Sequence, residues 1–179
     1  MHGLIFVQLK KYASMRLGPE AWDELLHKAA LQGRMYLPVQ QYPDDELQAL
    51  VRALSLRTGG DTDRVLQDLG AFVAPELVRM YGSLLHRSWT TLDVIEHTED
   101  TVHRVLRARH QAARQLELAA ERTSPDEVVV LYASPRRLCG FAKGIVRGLA
   151  RHFGETVALD ELSCMLRGDA ECRLRIRQT

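Results

Sequence analysis

Glu127-Val128-Val129-Val130-Leu131-Tyr132-Ala133-Ser134-Pro135-Arg136 decides how the C-terminal part of the chain folds. The Val128–Leu131 run favours extended backbone, since β-branched side chains pack well on a pleated surface. Pro135 lacks an amide hydrogen and ends the strand, while holding Ser134 extended. Alternate side chains of a strand share a face, so Tyr132, Ser134 and Arg136 project to the same side. Two hydroxyls and a guanidinium fork at a strand end suit a pair of carboxylates. The plain alternative is a strand's polar face with Arg136 at the surface, because three residues alone make a weak pattern.

Outward from this stretch, Leu138–Phe153 reads as one amphipathic helix closed by Gly154. Glu155–Leu159 and Cys172–Ile176 read as two further strands, the second alternating Cys172, Leu174 and Ile176 with arginines. Upstream the chain is helical. Ile5, Leu9 and Tyr12 recur near helical spacing, and Gly18-Pro19 separates them from a second helix bearing Ala21, Trp22, Leu25 and Leu26. Pro43-Asp44-Asp45-Glu46 opens a third, buried through Leu47, Leu50, Val51 and Leu54 and ended by Gly59-Gly60. Asp61-Thr62-Asp63 offers caps for a fourth, which Pro75 is expected to interrupt and restart as a short helix. Thr90 and Asp93 form a capping-box pattern for a helix to about Arg109, and His110–Ala120 is compatible with continued helix. Helices followed by strands with one long helix imply an α+β fold: an N-terminal helical lobe at about 1–62, then a lobe at about 63–179 with an antiparallel sheet and the amphipathic helix.

The chain of 179 residues carries 24 Lys and Arg against 23 Asp and Glu, a formal charge of +1. That balance gives no electrostatic case for nucleic acid, and Arg147, Arg151 and His152 read as a solvated face. The apolar Gly3–Val7 run is too short to span a bilayer and lacks a basic flank before it, so the expected location is cytoplasmic, without membrane insertion. Three cysteines, Cys139, Cys164 and Cys172, are an odd count that favours free thiols or metal ligation over a disulfide framework.

Tyr-x-Ser-x-Arg followed by an amphipathic helix, after a helical first half containing a histidine, resembles the signature of the H-NOX (haem nitric oxide/oxygen binding) family. Other segments agree in order and spacing: Gly3-Leu4-Ile5-Phe6, Gly18-Pro19-Glu20-Ala21-Trp22, Tyr42-Pro43-Asp44-Asp45-Glu46-Leu47 and Cys164-Met165-Leu166-Arg167-Gly168-Asp169. The resemblance implies haem b between the lobes, with Tyr132, Ser134 and Arg136 on its propionates. It places the axial ligand at His103, 29 residues before Tyr132. A neutral imidazole beside the apolar stripe of Ile95, Val102 and Leu106 suits haem iron. A histidine so placed is, without context, more often a hydrogen-bonded core residue, and His97 and His110 compete for the role. The family's proline after the proximal helix has no counterpart in His110–Ala120, where the matching position is near Leu116.

Bound oxygen gains from a buried hydrogen-bond donor, whereas nitric oxide needs little such help. Oxygen-binding members carry a tyrosine five residues after the motif's arginine, and this chain has Phe141 there. With Ile5 and Leu9 as further apolar wall, the expectation is nitric oxide and carbon monoxide binding without a stable oxygen complex. Gln8 or Tyr12 would supply a donor only if the first helix were rotated. The resemblance further implies that nitric oxide weakens the trans iron–His103 bond and frees the proximal helix. The partner it implies is a histidine kinase or a diguanylate cyclase.

Cys139, Cys164 and Cys172 fall where some members hold a structural zinc with a histidine three residues before the middle cysteine. This chain has Glu161 there, with His152 as another candidate fourth ligand. Without metal the thiols could form a redox switch. The rival reading is therefore a haem-free, redox- or zinc-responsive regulatory domain acting through its cysteines. An enzyme such as a haem peroxidase is disfavoured, because the expected distal side offers no acid–base pair.

Overall fold

The structure is a computed structural model that describes residues 1–104 and 117–179. Four helices come first: α1 (Gly3–Leu17), α2 (Ala21–Lys28), α3 (Asp44–Thr58) and α4 (Thr62–Tyr81). The His2 side chain caps α1 by accepting from the Leu4 amide, and three acidic residues occupy the first turn of α3, where the helix dipole favours them. Gly59 ends α3 at φ 66°, a left-handed conformation that suits glycine. These helices enclose one core, with Phe6, Leu9, Leu25, Leu47, Leu50 and Leu54 buried. Phe6 stacks on Tyr36 with ring centroids 4.2 Å apart, fixing the 29–43 loop against α1.

Helix α5 (Thr91–Thr98) opens with the expected capping box, Thr90 and Asp93 each bonding the other's backbone amide. It then passes into a π-helical turn, Glu99–His103. The expected extension to about Arg109, with Leu106, and the expectations for His110, Leu116 and the proline-free segment before residue 117 lie outside the described residues.

The C-terminal part contains β1 (Glu117–Ser124), β2 (Glu127–Ala133), α6 (Cys139–Phe153), β3 (Val157–Ser163) and β4 (Cys172–Gln178). The strands form one antiparallel sheet in the order β1-β2-β4-β3. Val128, Val130, Leu174 and Ile176 point inward and build a second core with Leu92, Val94 and Ile95 of α5 and Val146 and Leu149 of α6. The α+β architecture with a helical first half and an antiparallel sheet is as the sequence implied.

Three local expectations are corrected. Pro75 does not break its helix: α4 runs unbroken from Thr62 to Tyr81. A proline removes one intrahelical bond, but the neighbouring Ala71 and Ala74 pack closely on Gly148 of α6, and that contact holds the helix together. Residues 117–120 are strand, not helix, because β1 pairs along β2 from Glu117↔Ala133 to Ser124↔Glu127 and tertiary pairing overrides the helix preference of Glu, Leu and Ala. The strand expected at Glu155–Leu159 starts later, at Val157. Glu155 is used otherwise, its amide donating to Ala150 and its carboxylate accepting from the Thr91 amide at 2.8 Å.

Helices α4 and α6 join the two cores. Gly70 on α4 and Gly140, Gly144 and Gly148 on α6 bring the backbones so close that a methyl group at any of them would meet main-chain atoms of the other helix. Val65, Leu66, Leu69 and Val73 of α4 face the first core and Ala74 the second. No helix among the described residues is long and apolar enough to cross a membrane.

Candidate functional site

Between the helical part and the sheet lies a cavity of about 320 Å³. Its walls are mostly aliphatic: Leu4 and Ile5 from α1, Leu77 and Val78 from α4, Ile95 from α5 and Ile145 and Leu149 from α6. Tyr132, Ser134 and Arg136 stand together at this cavity, as strand alternation and Pro135 required. A pocket with apolar walls and a few convergent polar groups is the usual form of a small-molecule or cofactor site.

The polar edge is internally connected. The Tyr132 hydroxyl meets the Ser134 hydroxyl and the Leu138 amide, and burial pushes the phenol up to about 12 against the opposing effect of those bonds. The Arg136 amide donates to Ser134 Oγ at 3.3 Å. Arg136 Nε donates to Asp44 Oδ2 at 2.8 Å, and the Met1 ammonium lies 2.6 Å from Asp44 Oδ1. Burial opposes ionisation of Asp44, but hydrogen bonds from Met1 and Arg136 hold its carboxyl below the usual carboxylate range. Asp44 therefore ties α3 to the end of β2.

Of the residues expected on the apolar wall, Ile5 and Phe141 line the cavity. Leu9 is not among the lining residues; it is fully buried in the first core, one turn further along α1, and Leu4 takes the wall position. Gln8 and Tyr12 do not line the cavity either; Tyr12 accepts a bond from Arg16 at 3.0 Å and packs edge-on against Phe72. Val102 lines the cavity and His103 follows it at the end of the π-helical turn, though the His103 side chain lies outside the described residues. The competing His97 is stacked on Trp89 with centroids 4.9 Å apart and does not line the cavity. Sequence reasoning missed Tyr81, His2 and Gln41 in the lining. Gln41 reaches the wall through an isolated β-bridge with His2, a pairing that no local pattern announces.

The residues present fit a haem: a broad aliphatic cavity suits a macrocycle, and Tyr132, Ser134 and Arg136 suit its two carboxylates.

The three cysteines converge in a separate buried cluster with Tyr132 and Met165. Cys172 Sγ lies 3.0 Å from Cys139 Sγ and 3.7 Å from Cys164 Sγ, and all three sulfurs lie within 4.8 Å of one another. Burial is the first cause that pushes the Cys139 and Cys172 thiols up. Neither proposed fourth zinc ligand joins them. Glu161 instead pairs with Lys143 at 3.0 Å and Arg167 at 2.6 Å, and His152 sits at the far end of α6, edge-on to Phe153. A closed tetrahedral zinc site is thus one donor short among the described residues.

A sequence profile of the Haem-NO-binding family, HNOB, matches residues 2–161. Among solved structures, an H-NOX protein from S. oneidensis in the Fe(II)NO ligation state superposes with a TM-score of 0.92 at 24% identity, covering 100% of this chain and 99% of that one. An NMR structure of the Shewanella oneidensis domain in the Fe(II)CO ligation state gives 0.89 at 24% identity, with the same coverage of 100% and 99%. A mutant H-NOX from T. Tengcongensis gives 0.87 at 19% identity, covering 100% and 98%. Comparison with curated proteins finds no match. With its profile match spanning nearly the whole chain and its apolar cavity edged by Tyr132, Ser134 and Arg136, the chain belongs to the Haem-NO-binding (H-NOX) family of haem-based gas sensors.

Proposed function

We propose that this chain holds haem b in the cavity, with His103 as axial ligand, and senses nitric oxide and carbon monoxide rather than catalysing a reaction. The observation that carries the reading is the convergence of Tyr132, Ser134 and Arg136 at one edge of an otherwise aliphatic cavity. Arg136 offers a charged fork, and the Tyr132 and Ser134 hydroxyls add one donor each, which suits both propionates. Ferrous haem, when bound, supplies the iron that takes up a diatomic gas.

Phe141, Ile5 and Leu4 put hydrocarbon on the cavity wall, and a hydroxyl at position 141 is missing. Lacking that donor forgoes about 1–2 kcal/mol or more of stabilisation for a charged oxygen ligand, a factor of ten or beyond. The lobe of about 1–62 is proposed as the distal lobe, with Phe141 of α6 reaching its wall, and that of about 63–179 as the proximal lobe. His103 ends a π-helical turn, a form of helix found often at functional sites, and release of this segment is the proposed signal. A histidine kinase or diguanylate cyclase is the proposed partner, and a cytoplasmic location accords with both. The second reading, a haem-free regulatory domain, draws on the clustered buried thiols.

Absorption spectra of ferrous protein purified from haem-supplemented cells test this, recorded alone, in air and with nitric oxide. A five-coordinate histidine-ligated spectrum, converted by nitric oxide and unchanged by brief air exposure, is expected. A stable oxygen complex would overturn the selectivity while leaving the haem assignment. Failure to take up haem would overturn the sensor reading in favour of the thiol cluster.

A further inference from the structure

Among the described residues the thiol cluster has three converging donors and no fourth, and its surroundings decide what it can hold. Cys139 opens α6, Cys164 stands between β3 and the 3-10 turn Met165–Arg167, and Cys172 opens β4, so three separate elements bring sulfur to one point. All three side chains are buried, against Tyr132, Met165, Leu118 and Ala142. A tetrahedral zinc with sulfurs at about 2.3 Å sets its sulfurs about 3.8 Å apart. The Cys172 sulfur sits 3.0 Å from Cys139, closer than that spacing, and 3.7 Å from Cys164, close to it.

Charge points the same way. Zinc with three thiolates leaves one negative charge in an apolar cluster, and adding Glu161 leaves two. Recruiting Glu161 would also break its pairs with Lys143 and Arg167, while Lys143 is already shared with Asp63 at 3.2 Å. Buried charge without a partner is expensive. A trivalent centre bound by three thiolates is neutral, needs no fourth donor, and is pyramidal, so its lone pair occupies the side where a fourth ligand would stand.

We propose that Cys139, Cys164 and Cys172 form a three-coordinate trithiolate site for a trivalent thiophilic centre, arsenic(III) or antimony(III), in place of the four-coordinate zinc expected of some family members. With arsenous acid the exchange balances without a redox step. Three As–O bonds break and three As–S bonds form. Each thiol proton leaves with a hydroxide as water, three waters in all, and arsenic stays at oxidation state three. The 165–171 segment between Cys164 and Cys172 is the entry route, since its one helical turn spans only Met165–Arg167 and Leu166 is half exposed at the surface.

The test titrates the reduced full-length protein, in parallel, with arsenite and with zinc. Readouts are native mass spectrometry, near-ultraviolet sulfur-to-arsenic absorption and the number of thiols left to react after denaturation. One arsenic per chain with all three thiols protected is expected. Cys164→Ser is expected to weaken arsenite binding by more than the roughly tenfold that loss of an outer partner costs a metal site. Because a cysteine variant can fail by misfolding, Glu161→His supplies the second arm. It completes a Cys3His set, and zinc binding is expected to tighten by about tenfold or more while arsenite binding is retained. Zinc bound by the wild type as tightly as by E161H would overturn the proposal. So would arsenite held by only two thiols, or no arsenite bound at all.

Discussion

Tyr132 stands directly opposite Cys172 across the β2–β4 ladder, so one residue pair joins the wall of the cavity to the thiol cluster. Tyr132 reaches the cavity with its hydroxyl beside Ser134, and its ring packs among the three cysteines. Two sites that read as unrelated in sequence therefore share a side chain. Tyr132→Phe keeps the ring and removes the hydroxyl. It is expected to reduce haem retention during gel filtration while leaving the count of reactive thiols unchanged. Tyr132→Ala is expected to disturb both, since it also empties the ring's place beside Cys172.

Phe141→Tyr places a phenol on the cavity wall. On the proposed reading the variant should form an oxygen complex that the wild type does not hold. Oxygen dissociation measured by stopped flow is expected to slow by about tenfold or more, the worth of one hydrogen bond to a charged acceptor.

Gly144→Ala tests the seam between α4 and α6. The added methyl would run into the Gln67 main chain, so the helices must part. Overpacking of about 1–3 kcal/mol outweighs the gain of about 1 kcal/mol in helix propensity, and urea unfolding should show a net loss. Gly82→Ala is the control: nothing lies within 4 Å of its added carbon, and stability should stay within about 0.5 kcal/mol.

Acid should destabilise the fold through Asp93 and Asp44. Burial opposes ionisation of Asp93, yet the Thr90 amide and hydroxyl and Arg122 together hold its carboxyl below the usual range; Asp44 is lowered likewise by Met1 and Arg136. A carboxyl whose folded value lies below its unfolded one stabilises at pH above the unfolded value, and that stability is lost as pH falls through the folded one. Melting temperature should therefore fall as pH drops below about 4. Asp93→Asn should flatten part of that decline and cost about 1 kcal/mol at neutral pH through the weakened cap.

Pro75→Ala restores an amide inside an unbroken helix. Stability by thermal unfolding should rise, by no more than the roughly 3 kcal/mol that a proline costs a helix interior. A fall would mean that the ring itself fills space that alanine leaves empty.

Much of the fold was legible because it rests on local chemistry. Asp44, Asp45 and Glu46 suit a helix start, Thr90 and Asp93 at that spacing cap each other's amides, and Gly59 and Gly154 end helices in left-handed backbone; each of these holds in the structure. The Tyr132-x-Ser134-x-Arg136 edge was legible for the same reason, since a two-residue period and one proline fix which way those side chains face. β1 was not, because Glu117–Arg122 is strand only by virtue of β2 beside it.

The sequence by itself determined the helical first half, the β2 strand with its polar end, and the identity of the groups offered to a cofactor, because these depend on backbone preferences a few residues long. Only the tertiary structure decided that Pro75 stays within a helix, that Leu9 belongs to the core while Leu4 faces the cavity, and that Glu161 is held by Lys143 and Arg167 away from the cysteines. Those outcomes turn on close helix contact, the rotation of α1 and ion pairs between elements, which the order of residues along the chain does not encode locally.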